Sequence, residues 1–391
     1  ARRAPVRAGA PAATVHRTSG HLHAVDVVRF LTVGGVIAVH STSLTTPTTS
    51  VAAGAVLVVL HVTRSVFLFL SAFVLGYSWL RKPMAPRAFW RRRYPLVIAP
   101  YVTWSAIYVL TGGDLRSPWH VIGTFVVDLF DGGAHFHLYF LLLTFQLYLV
   151  FPALVAVLQH RRRLHVPLLA ASVVFEAGFC AAIHYGWRPP VLSVWLTHPG
   201  SWLPGYELYV VGGFLAAVHF DAVTAWVRAH DRLILGALVA SVALALGSYV
   251  ADMDVLGYSV LRASAVFQPV VVIESITVTL AQYALGLRVA ARLRARTAAR
   301  LERTSDVSFG VYLAHPLLVS GILDVAAATG LSALVGRLPG AVLEVIVVVA
   351  LMPFVYTVTY GGVAIARRTR ASLAVAGRRY RPPAPLPASP P

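Results

Sequence analysis

Residues 22–44 read LHAVDVVRFLTVGGVIAVHSTSL. The stretch is long and apolar enough to cross a hydrocarbon core of ~30 Å as one helix, which takes about 20 residues. Yet it carries Asp26, Arg29 and His40, and ionisable groups within lipid are costly and mark function by default. Asp26 and Arg29 are three residues apart, so they share a helix face and can pair. Arg29 and His40 are eleven apart, which at 3.6 residues per turn returns to nearly the same face, ~16 Å along the axis. Basic residues ahead of an apolar core also suit a secretory leader. This run is long for one and contains Arg29 and His40, so it is read as a retained helix.

Further apolar runs follow at about 55–80, 94–112, 134–158, 165–185, 201–220, 232–250, 264–287, 306–329 and 340–366. Backbone polar groups in lipid must be satisfied internally, so such runs are helices. The alternating ten-residue segments of a membrane β-barrel do not occur. The expected fold is all-α, a polytopic membrane protein with about ten transmembrane helices. Residues 118–130 are apolar but short and suggest a re-entrant or interfacial helix. One transmembrane domain is drawn over 21–370. It lies between a disordered basic segment, 1–20, and a flexible Arg- and Pro-rich tail, 371–391.

Of 391 residues, 58% are hydrophobic and 12% charged, about half the charge fraction of a soluble chain. The net charge of +18 does not indicate nucleic acid, because the arginines sit in short loops between apolar runs. With both termini placed in the cytoplasm, the basic groups at 81–93, 161–163, 228–232 and 288–303 and those beyond 367 all fall on that side. This is the positive-inside pattern of a cell-membrane protein in contact with anionic lipid. Cys180, the one cysteine, excludes an intrachain disulfide and a cysteine metal site. Phosphate-loop, zinc-protease and nucleophile-elbow motifs are absent, and no metal ligand set is expected.

The buried polar residues each carry a plain and a functional reading. A neutral His40 imidazole suits a general base near pH 7; packing between helices is its plain reading. Arg64, in the second run, suits a polar interior or a structural pairing with Asp26 or another buried acid. His135 and His137 stand at the outer start of the fourth run at a spacing that separates them on a helix, a weak metal signal; an interfacial position is their plain reading. Tyr139, Gln146 and Tyr148 follow them, where packing hydrogen bonds suffice. Glu176, Glu207, Glu274 and Glu344 stand on four different helices, each free to pair with an arginine or line a cavity. Arg91, Arg92 and Arg93, after Trp90, suit either a membrane anchor or the phosphates of an anionic cosubstrate.

Together these segments resemble the membrane acyltransferase 3 family. Asp26, Arg29 and His40 resemble its first-helix signature. The run Phe67-Leu-Phe-Leu-Ser-Ala-Phe-Val-Leu75 resembles its second-helix segment, with Ala72 where glycine is usual. Arg91 to Arg93 with Pro100-Tyr101 resemble its third-helix start. His137-Leu-Tyr-Phe-Leu141 with Gln146, Tyr148 and Pro152 resembles its fourth-helix motif, with Tyr139 in place of the commoner tryptophan. Ser308 to Pro316 resembles its late motif. The fourth-helix form is most similar to the short branch without a soluble domain, near enzymes that acylate surface polysaccharides.

The resemblance implies acyl transfer, with acetyl the expected group, from cytoplasmic acyl-CoA to a hydroxyl of a carbohydrate or lipid-linked acceptor. Acyl-CoA is then a cosubstrate and no bound cofactor is expected. By position, His40 is the base, with Arg29 and Asp26 beside it, and Arg91 to Arg93 meet the donor phosphates. Arg64 is placed with the donor or at the developing oxyanion. His137, Tyr139, Gln146 and Glu176 are placed along the substrate cavity. Ser308 and His315 are read as structural or cavity-lining and receive no chemistry, His315 before Pro316 as stabilising a local helix distortion. The rival from another class is a transporter or exporter of a glycan or lipid intermediate.

Overall fold

The structure, a computed structural model, describes residues 21–112, 115, 117–186 and 199–380. The segment expected to be disordered, 1–20, and the end of the tail, 381–391, lie outside the described residues. No strand occurs among them. Nine described helices are long and apolar enough to cross a membrane. They become ten if Leu203–Val218 and Phe220–Ala229, bent by 95°, form one span.

The helices are α1 (His23–Thr45), α2 (Val51–Leu60), α3 (Thr63–Arg81), α4 (Pro86–Arg93), α5 (Pro95–Thr111), α6 (Pro118–Asp131), α7 (Tyr139–Leu158) and α8 (His165–His184). After the undescribed segment come α9 (Glu207–Val218), α10 (Phe220–Ala229), α11 (Asp231–Asp254), α12 (Pro269–Ala290) and α13 (Ala295–Ala328). The last three are α14 (Gly340–Ile346), α15 (Met352–Ala366) and α16 (Ser372–Ala376), with short turns between.

Local chemistry sets the departures from the expected runs. The second run breaks at His61–Val62 into α2 and α3, and His61 and Arg64 beside the break face cavities. The last run contains a π-helical stretch, Val347–Leu351, just before Pro353. Proline lacks an N–H and crowds the preceding turn, and the wider turn accommodates it. The short run at 118–130 is α6, started by the Ser117 hydroxyl and stopped by left-handed Gly132, with no buried residue.

Lipid tails are as apolar as leucine, so burial alone does not hold these helices together; close packing and polar links do. Helix α1 lies centrally, packed against α12 and α13. The α3–α9 pair approaches so closely that a Cβ on Gly213 would strike the Phe69 carbonyl. Buried Phe89, Trp79, Phe151 and Phe214 form an aromatic cluster beside this pair. Polar links join distant segments. Glu344 accepts hydrogen bonds from Thr42 and Thr46 at 2.9 and 2.6 Å. Ser172 donates to Glu207 at 2.9 Å, and His184 meets Asp252 at 2.7 Å.

Among the described residues none of the four membrane glutamates pairs with an arginine, one of the two readings given to them. Two bind hydroxyls, and Glu274 and Glu176 Oε2 have no hydrogen-bond partner. The tail also begins later than residue 371. Helix α16 is seated against α5, α13 and α15, with Ser372 and Ala376 buried and Trp104 Nε1 donating to the Val375 carbonyl at 3.0 Å. The Arg-rich composition there reflects a surface built by a packed strap.

Candidate active site

Three cavities follow one another through the bundle. At the arginine-rich end, a cavity of about 690 Å³ is lined by Asp26, Arg29, Arg93, Tyr148, Ser305 and Arg378, among others. Its inner limit is Phe67 and Phe140, whose rings meet edge-to-face with centroids 5.1 Å apart. The same two rings line the next chamber, about 180 Å³, which holds His40, His137, Arg64, Tyr139 and Tyr312. His61, Arg64, Tyr139 and Val266 then border a third cavity of about 910 Å³ at the opposite end. The stripe on α1 thus serves two rooms: Asp26 and Arg29 line the first, His40 the second.

The hydrogen bonds around His40 assign its tautomer. Pro316 has no N–H, so the carbonyl four residues earlier, on Tyr312, loses its helical donor. His315 Nδ1 takes that carbonyl at 2.7 Å, with the Val311 carbonyl at 3.2 Å. Nδ1 therefore carries the proton, and Nε2 of neutral His315 is an acceptor. His40 Nδ1 lies 2.7 Å from that Nε2 and is the donor. The two rings are parallel within 5°, centroids 5.0 Å apart. His40 Nε2 remains unprotonated, makes no hydrogen bond and is not sealed from the chamber. A carbonyl freed by a proline thus orients a basic nitrogen through two imidazoles.

The structure brings together some of the expected site residues and separates others. His137 joins the cluster, its ring centroid 6.0 Å from His40 and 5.7 Å from His315, and Nε2 reaches the Leu313 carbonyl at 3.3 Å. Tyr139 lines both the chamber and the cavity beyond. The Asp26–Arg29 pair that the spacing allows does not form. Asp26 bonds His21 and lies 3.7 Å from His23, and Arg29 donates to Ser305 Oγ at 2.6 Å. The helix start supplies nearer partners to Asp26, and Arg29 extends towards α13.

Arg64 reaches no acid within ion-pair distance among the described residues. It donates to Tyr206 Oη at 2.9 Å and the Val266 carbonyl at 3.1 Å, over the Phe267 ring. It stands at the His40 chamber, away from Arg91 to Arg93, which fits the oxyanion placing better than a donor-phosphate one. That triplet divides: Arg93 lines the first cavity, Arg91 and Arg92 another at the same end. Gln146 pins backbone, donating to the Ser201 carbonyl and accepting from Leu203 N; it and Glu176 line none of these cavities.

Sequence reasoning read His315 before Pro316 as stabilising a local helix distortion and missed its contact with His40. The signal was present in the His315-Pro316 pair, since a proline inside a helix frees a carbonyl one turn back. His135, outside the spans, stacks on Tyr108 at 4.3 Å and meets His137 Nδ1 at 3.0 Å. Burial pushes its imidazole down to about 4. A histidine held neutral by the fold takes up protons more readily when unfolded, so stability falls as pH drops from about 6.5 towards 4. The expected result is a lower melting temperature in detergent across that window and a shallower fall in His135→Asn. An equal fall in the variant counts against this assignment.

Residues 22–361 match the model of the acyltransferase 3 family, described as an acyltransferase domain. No curated protein and no solved structure gives a match.

Proposed function

The chain belongs to the acyltransferase 3 family and is a membrane acyltransferase, and from that premise we propose that it moves an acyl group, acetyl in the simplest case, from acyl-CoA to a hydroxyl of a carbohydrate or lipid-linked acceptor. The arginine-rich end is taken as cytoplasmic by the positive-inside pattern, in the plasma membrane, with both termini on that side. The observation that carries this reading is the open Nε2 of His40, in a chamber that shares the Phe67 and Phe140 wall with the cavity lined by Arg29 and Arg93.

In this reading the donor's phosphates stay with the arginines and its thioester reaches past Phe67 and Phe140. The acceptor approaches through the cavity on the other side of Arg64. His40 Nε2 takes the hydroxyl proton as the oxygen attacks the thioester carbonyl; the thiolate leaves with the proton. Arg64, with a buried Nε lacking a partner, faces the negative charge that develops on the carbonyl oxygen. An acyl group carried first on His40 is the two-step variant. Asp26 and Arg29 hold the first cavity's wall through His21 and Ser305, and His137 and Tyr139 line the chamber.

The testing experiment is binding of acetyl-CoA and CoA to the purified protein in detergent. Wild type binds both. Replacement of Arg91, Arg92 and Arg93 by alanine weakens binding at least ~10-fold, about 1.4 kcal/mol. A folded wild-type protein that binds neither ligand would exclude acyl-CoA as donor.

A further inference from the structure

Beside the first cavity, at the same end, lies another of about 960 Å³. Arg91 and Arg92 of α4, Arg303 of α13, Arg367 and Arg368 after α15, and Arg378 and Arg379 after α16 all line it. Asp306 is the one carboxylate among its described lining residues. Segments distant in sequence thus converge seven guanidinium groups on one acid. Like charges at close quarters repel, and Asp306 offsets only one of them. An arrangement of this kind is stabilised when a polyanion occupies it, and arginine's planar fork suits phosphate.

The strap carrying Arg378 and Arg379 is held in place. Ser372 Oγ donates to the Arg378 carbonyl at 2.7 Å, and the indole of Trp104 holds Val375. Gly377 turns the chain at φ 61°, a conformation that favours glycine. A Cβ there would also strike the Leu96 carbonyl. The turn directs Arg378 back to Asp306, 2.8 Å away, and Arg367 stands 3.9 Å from the same carboxylate. Arg378 borders both this cavity and the one that contains Arg29, so one ligand can span the two.

Resting on the acyl-CoA reading, we propose that the C-terminal strap completes the donor site. Its arginines, with Arg303, Arg367 and Arg368, bind a phosphate monoester on the donor's nucleotide, while the acyl-bearing arm passes Arg378 towards Arg29. The enzyme therefore selects a donor that carries a nucleotide phosphate in addition to its pyrophosphate. The same chemistry would suit a phospholipid headgroup, and the probes separate the two.

The test measures binding of CoA and 3′-dephospho-CoA to the full-length protein in detergent, for wild type, Arg378→Ala/Arg379→Ala and Arg378→Lys/Arg379→Lys. Wild type prefers CoA by about tenfold or more. The alanine variant loses that preference while its affinity for dephospho-CoA stays within about twofold of wild type, and the lysine variant keeps part of it. Four results overturn the proposal. The alanine variant retains the wild-type preference; both ligands weaken equally; the substitutions change binding to vesicles containing anionic phospholipid but not to CoA; or wild type does not distinguish the two nucleotides. All four leave acyl-CoA as donor intact, whereas failure of wild type to bind CoA at all sinks that reading as well.

Discussion

His40→Ala loses acyl transfer by about 10³-fold or more, while its affinity for the donor stays near wild type. A positioned general base contributes roughly 10²–10⁴-fold, and an acyl carrier lost outright removes the two-step route entirely. The split between rate and affinity follows from geometry. His40 lies in the inner chamber, and the arginines assigned to the donor phosphates line cavities on the other side of Phe67 and Phe140. The substitution therefore removes a reacting group without touching the charged part of the donor site. Transfer rates and donor binding measured on the same detergent-purified sample check both halves. Near-normal transfer by the alanine variant would remove His40 from the chemistry. A large loss of donor binding would instead place the donor's charged end in the chamber.

What was legible in the sequence were features set by one helix or by composition. The apolar runs required helices because the bilayer leaves the backbone no other partner, and each falls on an apolar helix of the structure, although two spans start well ahead of their runs, at Pro86 and Ala295, and the run at 201–220 meets a 95° bend. The spacing of Arg29 and His40 put them on one stripe, and the structure gives that stripe to two adjoining cavities. Pairings between helices were not legible, because periodicity says which way a side chain faces and not what it meets. Asp26 therefore went to His21 and His23 instead of Arg29, and Arg64 ended over Phe267 without an acid. His137, whose plain reading was an interfacial histidine and which the resemblance placed along the substrate cavity, lines the chamber through the turn before α7. Cavities running from both ends would suit a transporter equally well. The family match decides for an enzyme.

The second large effect belongs to a residue that touches no substrate. His315→Ala removes the acceptor from His40 Nδ1 and frees the Tyr312 carbonyl, which already lacks a donor because of Pro316. The His40 proton is then no longer confined to Nδ1, and the productive tautomer, with a lone pair on Nε2, becomes one of several states. The ring also loses the parallel partner that fixes its plane. Turnover is expected to fall on the order of 10²-fold, at the lower end of general-base effects because the base itself remains. His315→Gln is the informative comparison, since its amide oxygen can accept from His40 Nδ1. It should recover part of the rate with donor affinity unaltered throughout. Nitrogen NMR of labelled histidine gives the independent signature: Nδ1 of His40 protonated in wild type and in the glutamine variant, mixed in the alanine variant. If alanine and glutamine lose activity equally and the His40 signals do not change, His315 acts only by filling space, and the orientation of His40 must come from elsewhere in the chamber.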